Sequence, residues 1–468
     1  MTRLAPHPDR LLPSDPAARE IARALFKEVV EAPIYSPHGH VEASLLFENP
    51  LFPDPAALLI TQDHYVTRLL HSAGISMDLL GVNTPDADPR QIWRRFCERW
   101  HLFLGTPVRY WFESELSEVF GLEEHPTAQN ADALYDQLAS TLAREDFRPR
   151  SLFERFNIAV LATTDDPADD LAAHQALAED PTFSGRVLPT FRADKYMDPA
   201  GVKWVGKLEA LTEVSGVDCG SYRGLLDALR LRRQYFIEHG ATASDTGVPD
   251  AWAEPLADAH AERLHAIGLA GTISADEAVA YRRNMLYQFA AMSADDGLVM
   301  QLHPSVLRNH HRPTFDAFGP DTGHDLPDVA AFTRPLERVL NDFGTHPVFR
   351  LVLFTVDETA FSREIAPLAG FYPSVYVGAP WWFIDTPAAI GRFRAAATDS
   401  AGFYKTSGFI DDTRAFCSIP ARHDMSRRAD AAFLANLVVT HQISEADALT
   451  VARDLVHKIP VETFRLKG

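Results

Sequence analysis

Two histidines separated by one residue are the first feature of the sequence that could do chemistry. His38 and His40 follow a short apolar run that we predict to be a strand. Side chains alternate along an extended chain, so both imidazoles point the same way and can reach one divalent cation. Asp412, at the end of GFIDD, is the best further ligand. Asp411 is the adjacent alternative, because alternation lets only one of the pair face inward. His303, at the end of VMQLH, is a further ligand or a neighbour of the metal.

Such a ligand set indicates one divalent metal ion. Two imidazoles and a carboxylate leave coordination positions open for water or substrate oxygens, which suits Zn²⁺ best and also Mn²⁺. The sequence therefore predicts a metal-assisted enzyme.

Other side chains near the predicted strand ends indicate a sugar-acid substrate. Arg192 and Arg414 could each bind a carboxylate through two parallel hydrogen bonds. The alternative for each is an ion pair within the protein, for instance with Asp194 or Asp412. Trp381 could cover one face of a sugar at the mouth of a barrel, although aromatic residues also suit a core.

Proton transfer needs a titratable group beside the substrate. His64 and Tyr65 supply such groups, and Asp412 is a third. The sequence does not separate these choices.

The elements that must position these residues repeat one pattern, a short apolar run that ends in polar residues. Helical patterns lie between the runs, which is typical of an α/β fold with strands buried on both faces. We therefore predict a distorted (β/α)₈ barrel, in which functional groups lie at the carboxyl ends of the strands. The runs are NIAVLATTDD (157–166), RVLPTFRADK (186–195), GLVMQLHPS (297–305), FRLVLFTVDE (349–358), SVYVGAPWWF (374–383) and KTSGFIDDTR (405–414).

Two long stretches depart from this alternation. Residues 85–150 and 205–290 have mainly helical spacing, and we interpret both as helical insertions in a single catalytic domain covering 1–468. Asp15 before Pro16 predicts the start of a first helix, and Ser444 with Asp447 predicts a capping box near the end of the chain.

Composition excludes several classes of partner. A formal net charge of -20 with a sequence pI near 5.4 argues against nucleic-acid binding. We expect no membrane association, because no apolar stretch approaches the roughly 18 residues that a span needs. Three widely spaced cysteines and the lack of a signal-like start predict a cytoplasmic protein. A homo-oligomer is compatible with the sequence, which says nothing further on this point.

Taken together, these segments resemble the uronate (glucuronate) isomerase family of the amidohydrolase superfamily. The resemblance runs from about 34 to 428, in the order of the family's motifs. The matching segments are HGH (38–40), QDHYVTRLLHSAGI (62–75), TTDDP (163–167), LPTFRADK (188–195), VMQLHPSVLRN (299–309), GPDTGHD (319–325), GAPWWFID (378–385), DDTRAF (411–416) and RHDMSRR (422–428).

The resemblance implies an enzyme that interconverts an aldouronate and a ketouronate, as in glucuronate and fructuronate. By matching position it makes His38 and His40 metal ligands and Asp412 a ligand or base. It puts Arg192, Arg414, His64 and Tyr65 around the substrate, His303 near the metal and Trp381 on the pocket wall.

Some positions depart from the family pattern. Ser36 stands where family members often have aspartate, and Thr355–Glu358 replaces an Asn-Pro-Arg-like run. A divergent isomerase acting on another sugar acid is therefore one alternative, and a metal-dependent hydrolase of the same superfamily is another. A non-catalytic sugar-acid binding protein is the third.

Overall fold

Short parallel strands form the centre of the protein. The structure is a computed structural model that describes residues 3–466. Its strands are β1 (Ile34–Ser36), β2 (Ile158–Ala162), β3 (Arg186–Leu188), β4 (Phe191–Arg192), β5 (Ala243–Val248), β6 (Val299–Pro304), β7 (Val306–Leu307), β8 (Leu326–Pro327), β9 (Leu351–Leu353) and β10 (Val375–Val377).

These strands surround one interior in parallel order. One sheet runs β1-β2-β3 and a second runs β10-β9-β6-β5-β4, while β7 and β8 form a separate antiparallel pair. A parallel bridge between Asp165 and Phe191 joins the two sheets. On the other side, Thr406 bridges Val377, and the His40 amide donates to the Thr413 carbonyl over 3.0 Å. Strands β3 and β4 are consecutive parts of one barrel position, β3 pairing with β2 and β4 with β5. The segment 406–413 therefore takes the eighth position and closes a distorted (β/α)₈ barrel, as predicted.

Apolar residues explain why these short runs are strands. In β9 all three residues are fully buried. Val352 packs inside the barrel against Val160 and Val299, whereas Leu351 and Leu353 pack outward in the main core. A strand with apolar neighbours on both faces is stable only with helices outside the barrel, which is what the intervening segments provide.

Helices cover the outside of the barrel. The α-helices are α1 (Pro16–Val29), α2 (Ala43–Glu48), α3 (His64–Ser72), α4 (Pro89–Glu98), α5 (Pro107–Ser114), α6 (Ala131–Leu142), α7 (Pro149–Arg155), α8 (Ala172–Glu179), α9 (Asp194–Met197), α10 (Trp204–Ser215), α11 (Tyr222–Glu238), α12 (Asp258–Leu269), α13 (Ala275–Asp296), α14 (Arg312–Phe318), α15 (Glu337–Phe343), α16 (Ala366–Phe371), α17 (Pro387–Ala401), α18 (Ile419–Val439), α19 (Glu445–Val456) and α20 (Lys458–Thr463). Short 3₁₀ or π turns lie at Ala57–Thr61, Asp78–Leu80, Trp100–Phe103, Glu115–Val119, Glu145–Phe147, Phe361–Ile365, Phe403–Lys405 and Phe416–Ser418.

Capping side chains fix two of the predicted helix starts. The Asp15 carboxylate accepts a hydrogen bond from the Ala18 amide, with Pro16 at the first helical position. Ser444 and Asp447 form the predicted capping box of α19. Helix α1 packs against α18 and α19, so the two ends of the chain meet on the barrel surface.

Two expectations about elements need correction. The range 205–290, predicted as a helical insertion, also contains β5, which lies between β4 and β6 in the barrel sheet. Its sequence, ASDTGV, is polar, so the apolar pattern that indicates a buried strand is missing. The predicted strand in 405–414 pairs with β10 only through Thr406 and Ser407 and is otherwise irregular. Across residues 3–466 no helix has the length and apolarity to cross a membrane.

Candidate active site

Two early histidines and a late aspartate meet at the carboxyl end of the barrel. The Nε2 atoms of His38 and His40 lie 3.4 Å and 3.1 Å from Oδ1 of Asp412. His38 is fully buried, and His40 opens toward the pocket. These three are the residues predicted as metal ligands.

Backbone geometry holds this cluster together. The hydrogen bond from the His40 amide to the Thr413 carbonyl joins the segment after β1 to the eighth barrel position. Asp412 has a φ of 40°, a left-handed conformation that costs a non-glycine residue about 1–3 kcal/mol. The surrounding barrel must stabilise this turn, which directs the Asp412 carboxylate toward the two imidazoles.

The donor set fits a divalent metal. Two ligand atoms about 2.05 Å from zinc in a tetrahedral site lie about 3.3 Å apart. The observed 3.4 Å and 3.1 Å separations match that spacing. In addition, Nε2 of the buried His303 has no hydrogen-bond partner among residues 3–466. The His303 ring stacks on His38 with centroids 4.7 Å apart, so this free nitrogen lies beside the cluster.

A buried carboxylate orients His303. Nδ1 of His303 lies 2.7 Å from Oδ1 of Asp245 on β5. Arg192 contacts the other Asp245 oxygen at 3.0 Å and pairs with Asp194 at 2.8 Å. Burial alone would raise the pKa of Asp245, but Arg192 and His303 outweigh it and hold the pKa well below its ordinary value. Arg192 thus forms the internal ion pair that the sequence left open as its alternative role.

A pocket opens next to the cluster of His38, His40 and Asp412. It brings together six predicted residues: His40, His64, Tyr65, Trp381, Asp412 and Arg414. It is also lined by Gln62, Asp63, Arg308, Asp321, Pro380, Trp382, Asp385, Ile410, Asp411, Thr413, Ala415 and Arg422. His38, His303 and Arg192 lie outside this lining, deeper in the barrel.

Arg414 is the available cation of this pocket. Its side chain is exposed and forms no hydrogen bond or ion pair with any residue in the described range 3–466. Arg308, by contrast, pairs with the buried Asp325 at 2.7 Å, and Arg422 pairs with Asp385 at 3.1 Å. Against the effect of burial, the Arg414 charge lowers the pKa of Asp321 in the same pocket without direct contact. A guanidinium with no hydrogen bond or ion pair at a pocket wall suits an anionic ligand.

His64 is held neutral beside Arg414. Burial, and then the Arg414 charge, lower the pKa of His64 to about 4. The ring is therefore uncharged at neutral pH and able to accept a proton. Asp63 positions it, because its carboxylate accepts from the Tyr65 amide at the start of α3.

Tyr65 belongs to a hydrogen-bonded network that the sequence analysis did not assign. Its hydroxyl donates to Oδ1 of Asp385 over 2.5 Å and accepts from the Phe383 amide over 3.1 Å. Arg422 lies over the Trp111 ring at 3.7 Å and pairs with the second Asp385 oxygen. Burial and the Asp385 charge raise the pKa of Tyr65 well above its ordinary value.

The two adjacent aspartates face different partners. Asp411 lies 3.0 Å from Nε2 of His423, whereas Asp412 faces His38 and His40. The expectation that only one of the pair faces inward, toward the barrel axis, agrees with this geometry. Asp412 is that residue.

Trp381 lies between the pocket and the histidines. It lines the pocket and its ring contacts His303 edge-on, with centroids 4.7 Å apart. Trp382 and Phe383 stack on each other further out, and Arg68 lies 4.4 Å above Phe383. Trp381 and Trp382 therefore make one wall of the pocket aromatic, a surface that suits the apolar face of a ring.

Most of the functional residues that the sequence analysis missed stand inside motifs quoted for the resemblance. Arg308, Asp321, Asp385 and Arg422 belong to VMQLHPSVLRN, GPDTGHD, GAPWWFID and RHDMSRR, so their presence in those motifs was the available signal. Asp245 is different, because it lies in the polar strand inside the range interpreted as helical.

Fold and site define the class of protein, a (β/α)₈-barrel enzyme with a His–His–Asp cluster that could hold a metal ion at the carboxyl ends of its strands. A family model described as glucuronate isomerase matches residues 16–464. A uronate isomerase of Corynebacterium efficiens is 52% identical over 99% of this chain and 100% of its own.

Solved structures agree with the family model. The glucuronate isomerase from Caulobacter crescentus superimposes with a TM-score of 0.97 at 44% identity, covering 100% of this chain and 98% of the other. A uronate isomerase from Thermotoga maritima gives 0.92 at 27% identity, covering 98% and 99%. The chain belongs to the uronate isomerase family of the amidohydrolase superfamily and is an enzyme of the aldose–ketose isomerase class.

Proposed function

We propose that this enzyme interconverts an aldouronate and a ketouronate of the D-glucuronate/D-fructuronate type by metal-assisted proton transfer. The observation that carries the proposal is one pocket in which His40 and Asp412, two members of the cluster with His38, lie with the guanidinium of Arg414. A sugar acid needs both features, because its carbonyl end reacts while its carboxylate fixes the orientation.

Arg414 binds the substrate carboxylate. An arginine can form two parallel hydrogen bonds to a carboxylate, which orients the sugar as well as attracting it. Trp381 covers one face of the sugar. Arg192 acts indirectly, since it holds Asp245, and Asp245 in turn orients His303 next to the metal-binding cluster.

His38, His40 and Asp412 hold one divalent metal, zinc in preference to manganese, with His303 beside them. When bound, the metal supplies a Lewis acid for the oxygens that become negative during the reaction. Nothing in this donor set is soft sulfur, so the nitrogen and oxygen ligands agree with either ion.

Proton transfer at carbon requires a group that is unprotonated at neutral pH. His64 meets that condition because its pKa is lowered to about 4. Tyr65 alone does not, because its pKa lies well above the ordinary value of a phenol. We therefore assign to His64 or Asp412 the removal of the proton beside the carbonyl and its return to the neighbouring carbon.

We also propose that residues 1–468 act as one catalytic domain in the cytoplasm.

Incubation with D-glucuronate or D-galacturonate, followed by NMR, tests this function. The expected result is a ketouronate that disappears after chelator treatment and returns with Zn²⁺ or Mn²⁺. Asp412→Ala should be inactive, whereas His260→Ala, at an exposed position on α12, should retain activity. Hydrolysis of an amide, ester or lactone without any ketose would favour the related hydrolase chemistry instead. Stabilisation by uronates without turnover would indicate a binding protein.

A further inference from the structure

A second groove lies on the far side of helix α3 and shares no lining residue with the active pocket. Its nitrogen-bearing side chains are Arg68, His71, His310, His311 and His324. No carboxylate is present among the described residues that line it, although the whole chain has a net charge of -20. The local charge of this groove therefore suits an anion.

Arg68 has no carboxylate partner. It is half-buried, and its guanidinium forms no ion pair or hydrogen bond within the described range 3–466. It lies 4.4 Å above the Phe383 ring, which orients the guanidinium without neutralising it. Burial lowers the pKa of Arg68. Burial acts the same way on Arg192 and Arg422, but neighbouring carboxylates outweigh it there and raise the pKa.

Three of the histidines are anchored in the same way. Each ring contacts the protein through Nδ1, and its Nε2 has no hydrogen-bond partner among residues 3–466. The anchors are the Ile75 carbonyl at 2.9 Å for His71, the Thr314 hydroxyl at 2.7 Å for His311 and the Thr322 hydroxyl at 2.8 Å for His324. His71 and His311 lie exposed at the rim, whereas His324 lies deeper. The groove thus holds oriented imidazoles whose Nε2 atoms are unused.

An anion fits this set better than a metal ion. A metal requires ligand atoms that converge, and the described clusters with ligand atoms within 4.8 Å of one another include none of the groove histidines. The guanidinium of Arg68 would also repel a cation. A phosphate group accepts hydrogen bonds on several oxygens, so donors spread around it can all contribute.

Both walls of the groove continue into the active pocket. Helix α3 carries His64 at its start and Arg68 one turn later. On the other wall, a Cβ added to Gly323 would lie 2.5 Å from Cγ of Arg68, so the Arg68 stem packs directly on this loop. The same loop carries Asp321, which lines the active pocket. A ligand in the groove would therefore contact two segments that also shape the uronate pocket.

We propose that this groove is a second ligand site, which binds a phosphate group, either free or on a small metabolite. Arg68 pairs with the phosphate oxygens, and His71 and His311 donate to them from Nε2 as imidazolium rings, with His324 beneath. The groove volume of about 310 Å³ lies within the range of roughly 300–1,000 Å³ typical of small-molecule sites. An organic group beside the phosphate can therefore be accommodated.

Isothermal titration calorimetry of the Zn²⁺-loaded full chain at pH 7 and low salt tests this site. The probes are inorganic phosphate and glycerol 3-phosphate, and we expect at least one to bind with a Kd of about 1 mM or tighter. The tighter of the two identifies the free ion or a phosphate ester as the source. Arg68→Gln should weaken binding at least about tenfold, through loss of charge-assisted hydrogen bonds. His311→Ala, at an exposed position, should also weaken it.

Two control variants locate the bound phosphate. Arg19→Gln removes a half-buried arginine of α1 that also lacks an ion pair in the described part of the chain, and it should bind as wild type does. Arg414→Gln removes the free cation of the uronate pocket and should leave groove binding in place. These titrations need no turnover, so their outcome is independent of the isomerase assay.

Three results would overturn the proposal. One is the absence of binding of both probes up to about 10 mM. Another is undiminished affinity in Arg68→Gln together with a loss in Arg414→Gln, which would place the phosphate in the uronate pocket. The third is stoichiometric binding of a second Zn²⁺ that His311→Ala abolishes, which would identify a metal site instead.

Discussion

Glu115→Gln should stabilise the protein at neutral pH and remove part of its pH dependence. Glu115 is 2% exposed and forms no ion pair with any residue in the described range 3–466. Burial, and then the nearby Asp63 charge, raise the pKa of Glu115 from 4.5 to about 8. Glutamine has the shape of the protonated acid without its tendency to ionise.

The size of this effect follows from the pKa shift. In the unfolded chain Glu115 releases its proton near pH 4.5, whereas the folded protein retains it up to about pH 8. Stability therefore falls as pH rises through this interval, because the unfolded state binds fewer protons. At about 1.4 kcal/mol per pKa unit, burial of Glu115 lowers the free energy of unfolding at pH 7 by about 3 kcal/mol. The substitution should recover up to that amount at pH 7 and little at pH 4.5.

Urea unfolding at pH 5, 7 and 8.5 measures the difference between variant and wild type. We expect the advantage of Glu115→Gln to grow with pH and to level off above about pH 8. Glu113→Gln, at a less buried position paired with Arg109, is the control and should show no such growth. Equal destabilisation by Glu115→Gln at all three pH values would refute the reasoning, since it would mean that Glu115 is ionised and partnered.

Three further outcomes can be checked directly. Arg414→Lys should raise KM for a uronate about tenfold, because lysine cannot bind the carboxylate through two hydrogen bonds. The control Arg312→Lys, in an exposed pair with Asp316, should leave KM unchanged. Equal KM values for the two variants would show that Arg414 does not bind the substrate. An NMR titration should show the His64 ring neutral down to about pH 5, with protonation near pH 4. The free energy of unfolding should fall as pH decreases from 6.5 toward 4, because the unfolded chain binds the proton first. Titration of His64 near pH 6.5 would contradict its burial. Ser444→Ala should cost about 1 kcal/mol of unfolding free energy through loss of the α19 capping box, with Ser400→Ala, at the end of α17, as a control in thermal unfolding.

Local patterns made most of the barrel predictable. Continuous apolar runs such as those of β2 and β9 have one stable placement, between an interior and a shell of helices. Strand β5 was not predicted because most of its side chains are polar. Asp245 is buried there because Arg192 compensates its charge and His303 hydrogen-bonds to it, and both come from other strands. A local sequence pattern cannot predict such an interaction between residues that lie far apart in the chain.

The candidate site was likewise only partly predictable from the sequence. Alternation along the chain predicted that Asp411 and Asp412 would face different sides, but not which of them would face the histidines. That choice depends on the left-handed turn at Asp412 and on His423 as a partner for Asp411. The pair of Arg422 and Asp385 joins residues 37 positions apart in sequence, so only the folded chain brings it to Tyr65.

The most direct test of this account is the metal content of the purified protein, measured together with uronate turnover. Wild-type protein and His260→Ala should carry about one Zn²⁺ or Mn²⁺ per chain and form ketouronate, while His40→Ala and Asp412→Ala should fold, lose the metal and lose turnover together. Full metal loading in Asp412→Ala, or undiminished turnover by metal-free protein, would contradict the assignment of His38, His40 and Asp412 as the metal site of an isomerase.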